Sequence, residues 1–267
     1  MVIPSVESEK KGLCPFCGGP GSSPEHIFGD WLGREITKPV EAKHYRYAGP
    51  RGKATEKMAN GLALTGQVKA PCGPCNNGWM SVIENRVKPL LLSMMKGAPQ
   101  NLDPSQQKAL AVWMCVKSMC WERQDEIEKK TIPERDYAFM YLNREPPLWR
   151  LPPGWFVWSA TSDAPFGQVG AYQSSAIFPA ADPITGSDFP MASHSFALVS
   201  GCFVGVAFRS PIPGDGGLFS EEGTELFRPL WPLVPEIAWP PPIVVPFKEV
   251  WTIPENMLDA MINAWGG

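Results

Sequence analysis

A chain of 267 residues with 44% hydrophobic residues, 11 Trp and 13 Phe can bury a sizeable core, which excludes a disordered protein. The net charge of −3 excludes a uniformly basic nucleic-acid binder. The charge is uneven, however, because residues 1–100 hold 13 Lys and Arg against 8 Asp and Glu, a net of +5, and the remaining 167 residues therefore carry −8. Only the first part has the charge to meet a polyanion.

The chain shows no sign of a targeting or membrane segment. Its first residues contain no apolar run of signal-peptide length, and no later segment has about 18 uninterrupted apolar residues. We therefore expect a soluble, cytoplasmic protein without membrane contact. In such a reducing compartment, the seven cysteines are expected as thiols or metal ligands rather than as disulfides.

Two CxxC pairs mark the first predicted block, residues 1–100. The spacing lets Cys14 and Cys17 turn onto one metal ion, and Cys72 and Cys75 can do the same. Four thiolates complete a tetrahedral zinc shell without an open position, so we expect a structural Zn²⁺ here. The remaining cysteines lie in apolar runs and are interpreted as buried thiols: Cys115, Cys120 and Cys202.

Between the pairs, short β-prone pieces alternate with Gly-rich and basic stretches. The segment EAKHYRYAGPRGKATEK predicts a hairpin whose cations can neutralise phosphates and whose aromatic residues can stack on bases. The candidate DNA-binding residues are Lys43, Arg46, Arg51 and Lys53. An ordinary solvated hairpin is the alternative interpretation.

A helix is predicted after Cys75, because apolar residues recur there at spacings of three and four. These residues are Met80, Ile83, Val87, Leu90 and Met94. Pro89 is expected to kink or shorten the helix. Glu84 lies on the same helix and is interpreted as an exposed side chain.

The second block, residues 101–150, is predicted to be helical. Asp103 is a good N-cap, proline follows at the first helical position, and Gln106 stands where the partner of a capping box belongs. This pattern predicts a helix to about Arg123 with a buried apolar face. Another short helix is expected after Pro133.

The third block, residues 151–267, consists of β-branched and aromatic runs divided by Gly, Pro, Ser and Asp, which predicts an antiparallel sheet. Its Pro- and Trp-rich end is expected to wrap over that sheet before a last helix from Pro254. His194 has a serine on each side, but neighbours in sequence do not form a catalytic triad. We interpret it as a strand residue near a turn.

A metal ion that joins the two CxxC pairs would also bring Glu25 and His26 near Asn76 and Asn77, at the start of the helix after Cys75. Carboxylate and amide oxygens suit a hard cation such as Mg²⁺ or Mn²⁺, and a neutral imidazole can take a proton from water. Metal-assisted hydrolysis of a phosphodiester needs these parts.

Two interpretations stay open at this point. The segment before His26 either forms a strand that ends at this residue or starts a helix capped by Ser23. Asn77 ranks below Asn76 as a ligand, because it can instead cap the helix or support a turn before Gly78.

The ordered combination of these motifs resembles zinc-containing members of the HNH (ββα-metal) endonuclease family, over about residues 10–95. In that family a CxxC precedes an Asp-His or Glu-His pair, and a second CxxC is followed by His or Asn at the start of a helix. The resemblance implies that His26 is the general base and that Glu25 and Asn76 help to hold the catalytic Mg²⁺ or Mn²⁺. The four cysteines would bind structural Zn²⁺.

The expected fold class is α+β, in which a zinc-stabilised ββα-metal module (residues 1–100) is followed by helices (101–150) and a β-rich antiparallel domain of unknown role (151–267). The resemblance implies metal-dependent cleavage or nicking of DNA. Two alternatives remain: a catalytically inactive, zinc-containing nucleic-acid-binding protein, or a protein-interaction or ligand-sensing module in which zinc only stabilises the fold.

Overall fold

The computed structural model describes residues 12–20, 25–26, 29–35, 43–48, 55–60, 67–68, 71–123, 130–181, 188–211 and 225–265. The helices named below are α1 (Asp30–Glu35), α2 (Gly73–Cys75), α3 (Ser81–Met95), α4 (Pro104–Glu122), α5 (Glu134–Leu142) and α6 (Thr252–Trp265), and a π-helical segment (Asn76–Met80) joins α2 to α3.

The strands are β1 (Glu25–His26), β2 (Lys43–Ala48), β3 (Thr55–Asn60), β4 (Gln67–Val68), β5 (Gln100–Leu102), β6 (Trp155–Ser162), β7 (Val169–Ala181), β8 (Asp188–Ser200), β9 (Phe203–Arg209), β10 (Arg228–Trp231), β11 (Ile237–Trp239) and β12 (Val244–Val245).

Eight of these strands form the main sheet, in the order β10-β6-β9-β8-β7-β2-β3 with β12 beside β6. Neighbours run antiparallel except for the parallel pairs β2–β7 and β12–β6. The α+β class and the antiparallel sheet expected after residue 151 are confirmed. The sheet also contains β2 and β3 from the first block, and the sequence did not predict that these strands join it.

Helices cover the main sheet on both faces, with α4 on one face and α6 on the other. Along β6, Trp155 and Val157 join the core that contains α4, whereas Phe156 and Trp158 join the core that contains α6. Because both faces are buried, β9 and the first half of β6 are apolar runs rather than an alternation of apolar and polar residues, whereas β7 and β8 also bury polar side chains.

Helix α4 has the predicted capping box. Asp103 Oδ1 accepts from the Gln106 N–H at 2.8 Å, and Gln106 Oε1 accepts from the Asp103 N–H at 2.9 Å. The helix ends at Glu122, one residue before the predicted end. It is buried almost all round, because α3 packs on one side and the sheet on the other.

The five residues of the predicted apolar stripe are all buried, and four of them lie on α3, whereas Met80 ends the π-helical segment before it. Pro89 does not shorten the helix, which continues to Met95. The missing proline N–H would have bonded to the carbonyl of Asn85, and both residues are exposed, so water can serve that carbonyl instead.

The Pro- and Trp-rich end also contacts the segment between α3 and α4, where β11 pairs with β5. Helices α5 and α6 lie where they were predicted, after Pro133 and around Pro254. The domain boundaries at residues 100 and 150 stay a prediction.

Candidate metal centre and adjoining cavity

The four cysteines of the two CxxC pairs lie together. Their Sγ atoms are all within 4.8 Å of one another, and those of Cys17 and Cys72 are 3.6 Å apart. A tetrahedral shell with metal–sulfur distances of about 2.3 Å places its sulfurs about 3.8 Å apart. Cys17 is partly exposed, whereas Cys14, Cys72 and Cys75 are buried. The four side chains therefore could hold a metal ion such as zinc.

The turn after the first pair explains its glycines. Gly18 has a φ of 69°, in the left-handed region that favours glycine, and its N–H donates to the carbonyl of Cys14 at 2.9 Å. The Gly19 N–H donates to Cys17 Sγ at 3.3 Å. A backbone donor aimed at sulfur stabilises the thiolate that a metal ion needs.

Burial acts to raise the pKa of Cys17, Cys72 and Cys75, and among these three hydrogen bonding outweighs burial only at Cys17. Burial raises the pKa of Cys72 and of Cys75. Burial also acts to raise the pKa of Cys17, but the Gly19 N–H and hydrogen bonds with the other three cysteines outweigh it, and the pKa is lowered. Cys17 thus becomes a thiolate more readily than Cys72 or Cys75.

Aromatic packing ties the cysteine centre to the rest of the molecule. Phe16 lies between Cys14 and Cys17 in the sequence and is buried. Its ring packs edge to face against the rings of Trp79 and Tyr137, with ring centroids 5.5 Å and 5.2 Å apart. The centre is therefore in contact with both the π-helical segment and α5.

The helix at the second pair begins at Gly73, with Cys72 as N-cap, and not after Cys75 as predicted. A proline in its first turn accounts for the earlier start. The π-helical segment follows, in which the Ser81 N–H bonds to the carbonyl of Asn76, and Gly78 departs from helical geometry with a ψ of −111°. The wider π-helical turn thus contains both predicted amide ligands, Asn76 and Asn77.

Strands β1 and β4 form a short antiparallel pair, with Glu25 opposite Val68 and His26 opposite Gln67. The strand interpretation of His26 is confirmed, and the helix capped by Ser23 is wrong, because α1 begins only at Asp30. The side chains of Glu25 and His26 lie outside the described residues, so their roles stay predictions.

A small cavity lies beside the cysteine centre. Its volume of about 20 Å³ is enough for one water molecule. Asn76, Glu84 and Lys117 supply its polar lining, and Val68 of β4 and apolar side chains of α3 and α4 supply most of the rest. Asn77 is exposed and lies outside this lining. The structure thus brings one of the two predicted amide ligands to the cavity.

Glu84 is not the exposed side chain that the sequence suggested, because 21% of it is exposed and it pairs with Lys117, whose Nζ lies 3.2 Å from Glu84 Oε1. The Gly29 N–H donates to the same oxygen at 3.2 Å. Burial acts to raise the pKa of Glu84, but the Lys117 ammonium outweighs it, and the pKa is lowered. One signal could have revealed the pair: Lys117 is the single charged residue in the apolar run 109–121.

The predicted basic hairpin is confirmed as two paired strands, β2 and β3, in which Arg46 lies opposite Lys57. Lys43 begins β2, and β2 also pairs with β7 at one edge of the main sheet. Arg51 and Lys53 lie outside the described residues. A role of these cations in DNA binding stays a prediction.

A second polar cluster, which sequence reasoning missed, surrounds His194. This residue lies in the middle of β8 rather than near a turn. Its Nε2 is 2.9 Å from the hydroxyl of Ser118, and its Nδ1 is 3.0 Å from the hydroxyl of Ser175 and 3.8 Å from a carboxylate oxygen of Glu122. All four side chains are fully buried, so no substrate reaches this hydroxyl–imidazole–carboxylate group.

Glu122 ties the end of α4 to the segment before α5. Its carboxylate accepts from the Thr131 hydroxyl at 3.0 Å, the Ile132 N–H at 2.8 Å and the Tyr137 hydroxyl at 3.0 Å. Burial raises the pKa of Glu122 to about 7, although these donors act to lower it. The cluster is therefore a sealed structural element.

Comparisons of the chain with protein-family models, with curated proteins and with solved structures found no match. Within the described parts of the chain, none of the helices has the length and apolar character that spanning a membrane requires. The residues of the site are therefore the basis on which a function can be assigned.

Proposed function

We propose that this chain is a metal-dependent endonuclease that cleaves or nicks DNA, with His26 as its general base. One observation supports this proposal above the others. The strand of Glu25 and His26 pairs with the strand that ends shortly before Cys72, and the next helix begins at the cysteine centre. Two strands and a helix thus adjoin four thiols in the order of the HNH (ββα-metal) family that the sequence resembles.

In this proposal His26 takes the proton of the water molecule that attacks the phosphorus atom. Glu25 and Asn76 supply oxygen ligands for Mg²⁺ or Mn²⁺, and Asn77 is less favoured because it lies outside the cavity. The divalent ion, when bound, stabilises the charge that develops on the phosphate and the leaving oxygen. The four cysteines hold a structural Zn²⁺, since four thiolates leave no open position.

The basic hairpin brings the substrate to this site. Lys43, Arg46, Arg51 and Lys53 neutralise phosphates, so binding weakens as the salt concentration rises. Phosphate contacts position a duplex without reading its sequence, and cleavage specificity therefore depends on other contacts.

Nicking of supercoiled plasmid by the zinc-loaded protein tests the proposal. We expect nicking with Mg²⁺ or Mn²⁺ and none without an added ion. His26→Ala should reduce the rate at least about 100-fold, the usual contribution of a general base. The matched control is Gln67→Ala, which changes the residue opposite His26 in the strand pair and should keep the activity.

The zinc content and the circular dichroism spectrum of His26→Ala must equal those of the wild type, so that a lost fold is not taken for lost chemistry. If folded, zinc-loaded wild-type protein cuts with neither ion, the nuclease proposal is wrong for DNA.

A catalytically inactive, zinc-containing nucleic-acid-binding protein is the second candidate, and one observation favours it. Lys117, whose ammonium group pairs with Glu84, lines the same cavity as Asn76, where a divalent ion would be expected. This candidate predicts DNA binding that depends on salt, that His26→Ala leaves intact and that no metal ion converts into cleavage.

A further inference from the structure

One of the four cysteines in the cysteine centre is open to solvent. Cys17 is partly exposed, whereas Cys14, Cys72 and Cys75 are buried. Oxidation of a thiolate depends on whether the oxidant can reach the sulfur, so a small oxidant meets Cys17 before the other three. The Gly19 N–H, 3.3 Å from Cys17 Sγ, holds this sulfur in place on the turn after the first pair.

A second sulfur lies close to that of Cys17. Cys72 Sγ is 3.6 Å away and belongs to the other CxxC pair. A disulfide bond is about 2.05 Å long, so the gap between the two sulfurs has to close by only about 1.6 Å. Cys72 is therefore placed to react with an oxidised Cys17.

We propose that Cys17 is a site of reversible oxidation by peroxides and that Cys72 completes the reaction, so that a Cys17–Cys72 disulfide takes the place of the bound zinc. The inference depends on the fit of the four thiols to zinc, and it is independent of the proposed nuclease activity. It gives the cysteine centre a regulatory role in addition to its structural one.

The reaction consumes one molecule of hydrogen peroxide and two protons. The Cys17 thiolate attacks one peroxide oxygen, the O–O bond breaks, and a sulfenic acid (S–OH) and a hydroxide ion form. The Cys72 thiolate then attacks the Cys17 sulfur, which forms the S–S bond and expels a second hydroxide ion. The two protons convert both hydroxide ions to water, and the two sulfurs together have lost two electrons to the peroxide.

The disulfide removes two of the four zinc ligands. Cys14 and Cys75 alone do not complete a tetrahedral shell, so the affinity for zinc falls and the ion is released. The new bond joins cysteines 55 positions apart in the chain, one from each pair, and it keeps the two pairs together without the metal ion. Reduction in the presence of Zn²⁺ restores the original centre.

Hydrogen peroxide treatment of the zinc-loaded wild-type protein tests the proposal. A chromogenic zinc chelator follows the release of zinc, and mass spectrometry of tryptic peptides locates the disulfide. We expect zinc release in step with formation of the Cys17–Cys72 bond, and dithiothreitol with added Zn²⁺ should restore the zinc content. None of the cysteines in the centre is substituted, so the starting fold is that of the protein itself.

The peptides distinguish the possible disulfides. Trypsin cuts after Lys11 and Lys69 and places the two CxxC pairs in separate peptides. A bond between the pairs therefore links two peptides, whereas a bond within a pair links none. Fragmentation of the linked peptides, after alkylation of the remaining thiols, identifies the two bonded cysteines.

Cys202→Ser is the matched control, because Cys202 is the other partly exposed cysteine and lies outside the centre. This variant should release zinc at the rate of the wild type and form the same disulfide. The proposal is overturned if peroxide releases no zinc, if bonds form only within the pairs, if Cys202→Ser abolishes zinc release, or if reduction does not restore the zinc content. A protein that takes up no zinc would overturn the zinc centre and this proposal together. None of these measurements uses DNA, so their results are separate from those of plasmid nicking.

Discussion

Glu84 on α3 and Glu122 at the end of α4 are both shielded from water and both lie beside a basic side chain, yet their pKa values move in opposite directions. Lys117, an ammonium at 3.2 Å, lowers the pKa of Glu84 against the effect of burial. Glu122 has His194 at 3.8 Å and several N–H and O–H donors, and burial raises its pKa to about 7. The Lys117 ammonium outweighs the lost hydration of Glu84, whereas the donors around the fully buried Glu122 do not outweigh its burial.

Glu84 and Glu122 also differ in how far their surroundings are open to solvent. Glu84 borders a small cavity next to the cysteine centre, and 21% of its side chain is exposed. Glu122 is fully buried between α4, α5 and the sheet. Tyr137 connects the two regions, because its hydroxyl bonds to Glu122 and its ring packs against Phe16 of the cysteine centre.

The largest expected effect is a loss of structure confined to the region around the cysteine centre. The Cys72→Ser variant should lose its bound zinc, and the region around the cysteine centre should unfold, because structural zinc can contribute about 10 kcal/mol or more to folding. Metal analysis and hydrogen exchange, compared between α3 and β8, measure the effect. Cys202→Ser, outside the centre, is the control and should keep the zinc. Normal stability of metal-free Cys72→Ser would contradict a structural role for zinc.

The second-largest expected effect is a dependence of stability on pH caused by Glu122, in the buried cluster around His194. The folded-state pKa of Glu122 is about 7 against 4.5 for an ordinary glutamate. The bound proton therefore stabilises the fold fully below about pH 4.5, and this stabilisation, at most about 3 kcal/mol, is lost as the pH rises through 7. Glu122→Gln is neutral at every pH and should remove that loss.

Urea unfolding of zinc-loaded protein at pH 5 and pH 8 measures this difference. Glu134→Gln, an exposed glutamate on α5, serves as the control and should follow the wild type. Identical pH profiles of Glu122→Gln and the wild type would show that Glu122 keeps an ordinary pKa.

The smallest expected effect concerns Glu84, whose contribution to stability changes with pH in the opposite direction to that of Glu122. Its pKa is lowered in the folded protein, so its charge stabilises the fold above about pH 4.5, and this contribution is lost as the pH falls through the folded-state pKa. Glu84→Gln should lose less stability on acidification than the wild type.

The measurement is the difference in unfolding free energy between Glu84→Gln and the wild type at pH 6 and pH 4, in which metal loss common to both proteins cancels. A difference that does not change with pH would mean that Lys117 leaves the pKa of Glu84 unshifted.

Short-range patterns accounted for most of the secondary structure. The capping box of Asp103 and Gln106 gave the start of α4, and the apolar spacing after Cys75 indicated α3. Both signals act within one turn of helix, so neighbouring residues suffice to read them. The spacing of each CxxC pair is equally local, and it indicated the thiol centre before any fold was known.

Contacts between residues far apart in the chain were not predicted from the sequence. The sequence did not indicate that β2 joins β7, because a parallel pair of distant strands has no local turn to mark it. His194 read as an ordinary strand residue, and its partners Ser118 and Glu122 come from a helix more than 70 residues earlier.

The sequence by itself determined the elements and the cysteine ligand set, because capping, periodicity and CxxC spacing act over a few residues. Only the tertiary structure decided which groups share a cavity. Glu84 and Lys117 stand on different helices, and their pairing depends on how α3 packs against α4. The depth at which each carboxylate is buried and the presence or absence of a lysine ammonium beside it are properties of that packing, and they decide the pKa of each glutamate.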